Sequence, residues 1–94
     1  MRLWGLLPLI EPITHALPTP VVLVDCRGLR CPLPVIHLAR RITDVSTREV
    51  VGVVADDPAA RTDIPAWCRM RGHEFVGERI EADGASAYLV RRMA

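Results

Sequence analysis

Three cysteines, Cys26, Cys31 and Cys68, are the side chains of this 94-residue sequence best suited to covalent chemistry. Cys31 has the most specific surroundings. It stands in Asp25-Cys26-Arg27-Gly28-Leu29-Arg30-Cys31-Pro32-Leu33-Pro34, between an apolar run at residues 21–24 and an amphipathic run at residues 35–42. That order reads as strand, turn and helix start, with Cys31 at the turn. Pro32 suits the first helical position, whose N–H has no intrahelical partner, and Pro34 falls in the same first turn, where donors are also orphaned. Unpaired N–H groups and the helix dipole favour negative charge there. A thiol so placed is expected to have a lowered pKa, and the thiolate is the nucleophile. Arg27 and Arg30 flank it and favour the anion further. The plainer reading is a small buried cysteine at a helix cap. Gly28 before it and two prolines after it fix the sulfur's position, which sets nucleophilic chemistry level with that reading.

The other candidates are weaker. Cys26 and Cys31 are separated by four residues, neither a thioredoxin-like nor a zinc-knuckle spacing. Cys26 reads as an inert strand-end cysteine, with a resolving thiol as the alternative, and Cys68 reads as core. Cys26, Cys31 and His37 lack a fourth ligand, so no metal is expected. His37 lies more than one helical turn beyond Cys31 and is a poor base for it. His15 and His73 have no visible acid or nucleophile partner. Asp56-Asp57 precedes Pro58, so capping explains the pair better than acid–base chemistry.

The elements that must position Cys31 follow from periodicity. Residues 21–25 read as a buried strand, β-branched and continuous. The helix after Cys31 runs to residue 42 or 43, with Val35, Leu38, Ala39 and Ile42 on one face and Leu33, His37 and Arg40 on the other. Residues 49–55 form a second buried strand. Asp57 then caps a helix start, Pro65 forces a restart after one irregular turn, and the helix ends at Arg71 before Gly72. Ile64, Trp67 and Cys68 share its apolar face, with Arg71 at the edge. Residues 73–81 and 85–92 form two strands joined by an Asp83-Gly84 hairpin turn. The order β-α-β-α-β-β favours a two-layer α/β sandwich, with a four-stranded mixed sheet covered on one face by both helices.

Residues 1–20 are expected to be a loosely ordered N-terminal extension and residues 21–94 a single domain. The apolar run at residues 3–10 is interrupted by Pro8 and too short to span a bilayer, and it imitates a signal peptide only weakly. A formal net charge of +1 supplies no broad basic field, so neither nucleic-acid nor membrane binding is expected. Three unevenly spaced cysteines do not make a disulfide framework, and a reduced, cytoplasmic setting is the default.

The stretch Asp25-x-Arg27-Gly28-Leu29-x-Cys31-Pro32-x-Pro34 resembles the signature of the TusA/SirA-like sulfur-carrier family. A second match follows in Ala55-Asp56-Asp57-Pro58-Ala59, Asp63-Ile64-Pro65, Cys68 and Gly72-His73. Together they cover residues 21–92. The resemblance implies the same two-layer architecture and a persulfide relay on Cys31, a sulfurtransferase-type role. The donor would be a cysteine desulfurase or a rhodanese-like protein, and the acceptor another protein. The pathway would be tRNA thiolation, molybdenum-cofactor maturation or sulfur oxidation. Thiol exchange of this kind needs no cofactor. Asp25, Arg27, Gly28, Leu29, Pro32 and Pro34 would support the turn, and Arg30, Leu33, His37 and Arg40 would form a docking face for partners of a monomer. Two readings of other classes stand beside it: a thiol redox protein pairing Cys31 with Cys26, and a non-catalytic regulatory interaction module.

Overall fold

The computed structural model describes residues 17–94. The expectations placed on residues 1–16 lie outside the described residues. The elements are β1 (Val22–Asp25), α1 (Leu33–Arg41), a 3-10 turn (Ile42–Asp44), β2 (Val50–Ala55), α2 (Ala60–Arg71), β3 (Glu74–Ile80) and β4 (Ser86–Arg91). The sheet order is β1-β2-β4-β3. β1 runs parallel to β2, and both β2–β4 and β4–β3 are antiparallel. The expected element order, mixed sheet and two-helix layer are therefore present.

β2 is central because all six of its residues, Val50-Val51-Gly52-Val53-Val54-Ala55, suit a strand buried on both faces. Its alternate residues serve different layers, since successive side chains in a strand point to opposite faces. Val51, Val53 and Ala55 join Val24, Tyr88 and Val90 against Leu38 and Ile42 of the first helical segment and Ile64, Trp67 and Cys68 of α2. Val54 instead packs with Ala85 and Ala87. On that other face a side chain at Gly52 would come within 2.7 Å of Leu23 Cδ1 and 3.2 Å of Leu89 Cδ2 and Pro20 Cγ. Glycine is what lets these apolar groups close over the middle of the sheet.

Three expectations need correction. β1 is an edge strand, not a buried one: Leu23 is 51% exposed while Val24 is 8% exposed. A continuous apolar run does not say how many faces are covered, and β1 has a neighbour on one side only. The helix start also differs. Pro32 is the residue before α1 and Pro34 is its second residue, so Cys31 sits one residue further from the helix than expected. The chain closes a turn first, with Leu33 N donating to Arg30 O at 2.9 Å. Lastly, α2 is continuous through Pro65 with no restart. An interior proline costs roughly 3 kcal/mol. Full burial of Ile64 and Cys68 on either side of it holds the helix in register with the sheet.

Gly72 ends α2 in the left-handed conformation, φ 75°, and His73 N donates to Cys68 O at 2.9 Å. The β3–β4 turn is tight as expected, with Glu81 N donating to Ala85 O at 2.7 Å and Asp83 accepting from Ala85 N at 3.1 Å.

Leu38 links α1 to the sheet with no exposed surface. Leu38→Ala is expected to lower unfolding free energy by about 2–5 kcal/mol, read as a Tm lower by roughly 10 °C or more. A loss below about 1 kcal/mol would mean that α1 is not anchored through this residue.

Candidate functional site

The loop carrying Cys31 is built almost entirely on backbone donors and a few carboxylates. Cys26 N donates to Val54 O at 2.7 Å, which carries the β1–β2 pairing one residue past the strand. Leu29 N donates to Cys26 O at 3.1 Å and closes a turn. Gly28 sits within that turn at φ 79°, a conformation that L side chains rarely adopt. Its N–H donates to both oxygens of Asp56, at 3.0 and 3.2 Å. Cys31 N donates to Asp57 Oδ2 at 2.8 Å, while Asp57 Oδ1 accepts from Ala59 N at 3.1 Å. The Cys31–Pro32 peptide is cis.

Asp57 thus has a larger role than capping. The α2 cap residue is Ala59, and the Asp57 side chain spans from the turn before α2 to the cysteine loop. The Cys31 and Ala59 amides hold its carboxyl below the ordinary 3.8, helped by the nearby charge of Arg30. A carboxylate with a depressed folded-state pKa contributes stability above its unfolded pKa. That contribution is lost as the pH falls through the folded value.

Arg27 is also committed. Its Nε donates to Asp83 Oδ2 at 2.7 Å and its second nitrogen lies 3.2 Å from Asp25 Oδ1. It ties the loop to the β3–β4 hairpin and does not serve the sulfur as expected. Leu29 packs against the core, and Pro34 is buried.

Cys31 itself is half-buried and packs against the core cluster that contains Cys26. Its thiol is pushed up to about 11. Partial desolvation is the main cause, followed by the Asp63 carboxylate, whose negative charge disfavours a second one; Asp57 and Cys26 add to it. The expectation of a lowered pKa is overturned. The helix begins two residues later than the thiol, and the acidic residues on the facing loop and helix act on its charge while neither flanking arginine offsets them. Burial likewise pushes the Cys68 thiol up to about 11 and raises that of Cys26.

Of the expected docking residues, Arg30 and Arg40 are exposed and Leu33 is 43% exposed, but His37 is half-buried. Arg41, at the flank, pairs with Asp44 at 2.8 Å. Sequence reasoning missed Ile36 and Met70, which are exposed apolar side chains on the two helices. It also missed a groove of about 230 Å³ between those helices, lined by Pro32, Val35, Asp63, Ala66, Trp67 and Met70. The available signal for Asp63 was its place in the Asp63-Ile64-Pro65 motif, four residues before Trp67 and so on the same helical face. His73 stacks on Trp67 at 5.4 Å between ring centroids and accepts from Met93 N at 3.1 Å, a structural role. Among the described residues no group of three or more His, Cys, Asp or Glu side chains is placed to hold a metal ion.

A family profile described as Sulfurtransferase TusA matches residues 22–92. The chain belongs to the TusA family. A sulfur carrier protein TusA from Pseudomonas entomophila is 39% identical over 71 residues, covering 76% of this chain and 88% of the relative. One from Pseudomonas putida is 37% identical over 76 residues, covering 81% and 94%. The crystal structure of a SirA-like protein from Desulfitobacterium hafniense superposes with a TM-score of 0.68 at 19% identity, covering 79% of this chain and all of that one. That neighbour establishes the shared TusA-type fold. No helix among the described residues is long and apolar enough to cross a membrane.

The environment of Cys31 sets its reactivity toward small reagents. Peptide mapping of iodoacetamide labelling at Cys31 is expected to show a rate that rises about tenfold per pH unit above neutrality and levels only near 11. A plateau near pH 8.5 or lower, the range of a free or activated thiol, would contradict the carboxylate-rich surroundings.

Proposed function

We propose that this chain relays sulfur as a persulfide on Cys31, between a donor protein and an acceptor protein. Membership of the TusA family supports sulfur relay in general. The observation that carries the residue assignment is the Asp57 anchor on the Cys31 amide: it fixes the backbone of the one half-buried cysteine, next to Pro32, which lines the interhelical groove. Cys68 and Cys26 are each 1% exposed, which leaves them little access to a partner's sulfur.

In the loading step, Cys31 Sγ attacks the terminal sulfur of a donor persulfide. The Sγ–S bond forms, the donor's S–S bond breaks, and the donor leaves as a thiolate that takes up the proton lost by Cys31. Delivery repeats the exchange, with an acceptor thiol attacking the terminal sulfur on Cys31. The donor is a cysteine desulfurase or a rhodanese-like protein, and the setting is the reducing cytoplasm. The acceptor belongs to tRNA thiolation, cofactor biosynthesis or sulfur metabolism. The redox reading draws no support from Cys26, whose thiol is buried at the end of β1 and raised in pKa by desolvation and by Asp25.

Partners approach across the exposed Leu33, Ile36 and Arg40 of α1 and Arg30 of the preceding turn, with the exposed Met70 of α2 lining the groove. Net charge near zero makes this local cluster matter more than any long-range field.

Loading by a desulfurase and cysteine is expected to add about 32 Da, one sulfur atom, to the wild-type chain. Cys31→Ser should abolish that addition, and Cys26→Ser and Cys68→Ser should retain it. Equal loading of the Cys31→Ser variant would sink the assignment. Arg40→Glu should leave folding and small-reagent alkylation of Cys31 unchanged while slowing protein-to-protein transfer, with the difference shrinking as salt is added. Wild-type transfer rates at low salt with both donor and acceptor would exclude this face.

A further inference from the structure

We propose that the sheet face turned away from the helices is the docking site of this chain's own N-terminal segment, entered by Leu17 to Pro20 and continued by the apolar run at residues 3–10. The inference goes beyond the relay reading and does not depend on it. The family profile begins at Val22, so the segment lies outside the matched part.

A groove for it runs across the sheet. Leu23 of β1 pairs with Gly52 of β2, Gly52 with Leu89 of β4, and Leu89 with Gly77 of β3. Residues opposite one another share a face, so these four make one row across all four strands. Two of the four lack a side chain, and the chain before β1 lies over those two slots. A methyl group at Gly52 would come within 3.2 Å of Pro20 Cγ, and one at Gly77 within 3.0 Å of Leu17 Cδ2. Gly52 and Gly77 are two strand spacings apart, about 10 Å. The chain from Pro20 to Leu17 also reaches about 10 Å when extended. It therefore crosses the sheet directly, over Leu89, which is fully buried.

Two observations ask for more cover than that crossing supplies. Val54 and Ala87, on the same face, are fully buried, while both helices pack on the other face. Leu23, at the open end of the row, is 51% exposed. Leu17 ends the crossing at β3, an edge strand. Residues 1–16 precede it and include the apolar run that contains Trp4. That run reaches about 26 Å when extended, against a sheet about 15 Å wide, so it is long enough to return across the face. Burial there removes apolar surface from water on both sides. A segment of the same chain is favoured over one from a second copy. The strap joins Val21, whose N–H donates to Val50 O at 2.9 Å, so it is tethered at the groove and its effective concentration is high.

The test uses the full chain carrying Trp67→Phe, which leaves Trp4 as the lone indole. Docking predicts that iodide quenches Trp4 several-fold less than free N-acetyl-tryptophanamide, and equally at all protein concentrations. Adding Leu17→Asp, which sets a carboxylate against the apolar row, should raise quenching to the free value and lower Tm by about 5 °C. The wild-type chain gives an independent reading by NMR: Overhauser contacts from the Trp4 ring to methyl groups of Val54, Ala87 or Leu89 are expected. Trp4 quenched like the free indole, or no such contacts in the wild type, overturns the proposal. So does a Leu17→Asp variant with unchanged quenching and Tm. Protection that fades on dilution as a dimer dissociates places the segment on a second copy and overturns the proposal as well.

Discussion

Two adjacent carboxylates, Asp56 and Asp57, hold the cysteine loop to the rest of the molecule. Each accepts from a backbone amide of that loop, Gly28 and Cys31, and charge-assisted bonds of this kind are roughly twice as strong as neutral ones. The loop otherwise has few means of staying in place. It follows an edge strand of four residues and precedes a helix whose first turn contains a proline. With both amides anchored, Cys31 cannot drift along the sheet edge. The sulfur's position then follows from the packing of the anchoring turn, which is fixed by β2 and by the fully buried Ala60 and Ile64. The arginine link from Arg27 to Asp83 adds a third tether, from the far hairpin.

This construction has an electrostatic consequence. Partial burial raises the thiol pKa most, and a loop pinned by carboxylates adds acidic residues that raise it further, so the protonated form is favoured at neutral pH. For a carrier that is useful. A permanently ionised thiol reacts with any disulfide or electrophile it meets. A protonated one reacts more slowly until its surroundings change. The proposed docking face offers a partner the exposed apolar side chains Leu33, Ile36 and Met70 and the cations Arg30 and Arg40, which form no ion pair among the described residues. The two contributions differ in kind: burial of the apolar groups supplies affinity, and the charges steer the encounter.

The element order was readable because each element carries its own signal. Val50 to Ala55 has no polar residue, Gly72 stops α2, and Asp83-Gly84 turns the last hairpin. The inward face of α1 was read from helical spacing, and Leu38 and Ile42 are buried as that spacing requires. What failed was anything decided by contacts distant in sequence. The exposure of β1 depends on which strand lies beside it. The continuity of α2 through Pro65 depends on the packing of its neighbours against the sheet. The direction of the Cys31 shift depends first on burial against the core and then on Asp63 and Asp57, 32 and 26 residues further along the chain. Local reasoning counted the two flanking arginines and could not see that Arg27 is taken by Asp83. The motif resemblance marked the acidic residues as belonging to the pattern without giving their task.

The central claim is that the Asp57 carboxylate holds the Cys31 amide. The most direct test is to follow the backbone amide proton of Cys31 by NMR as the folded chain is acidified. The amide should titrate with a midpoint below the ordinary carboxyl value of 3.8, in step with the Asp57 side chain, and this titration should vanish in Asp57→Asn. A Cys31 amide that does not move with pH, or moves identically in Asp57→Asn, would contradict the anchor and the account built on it.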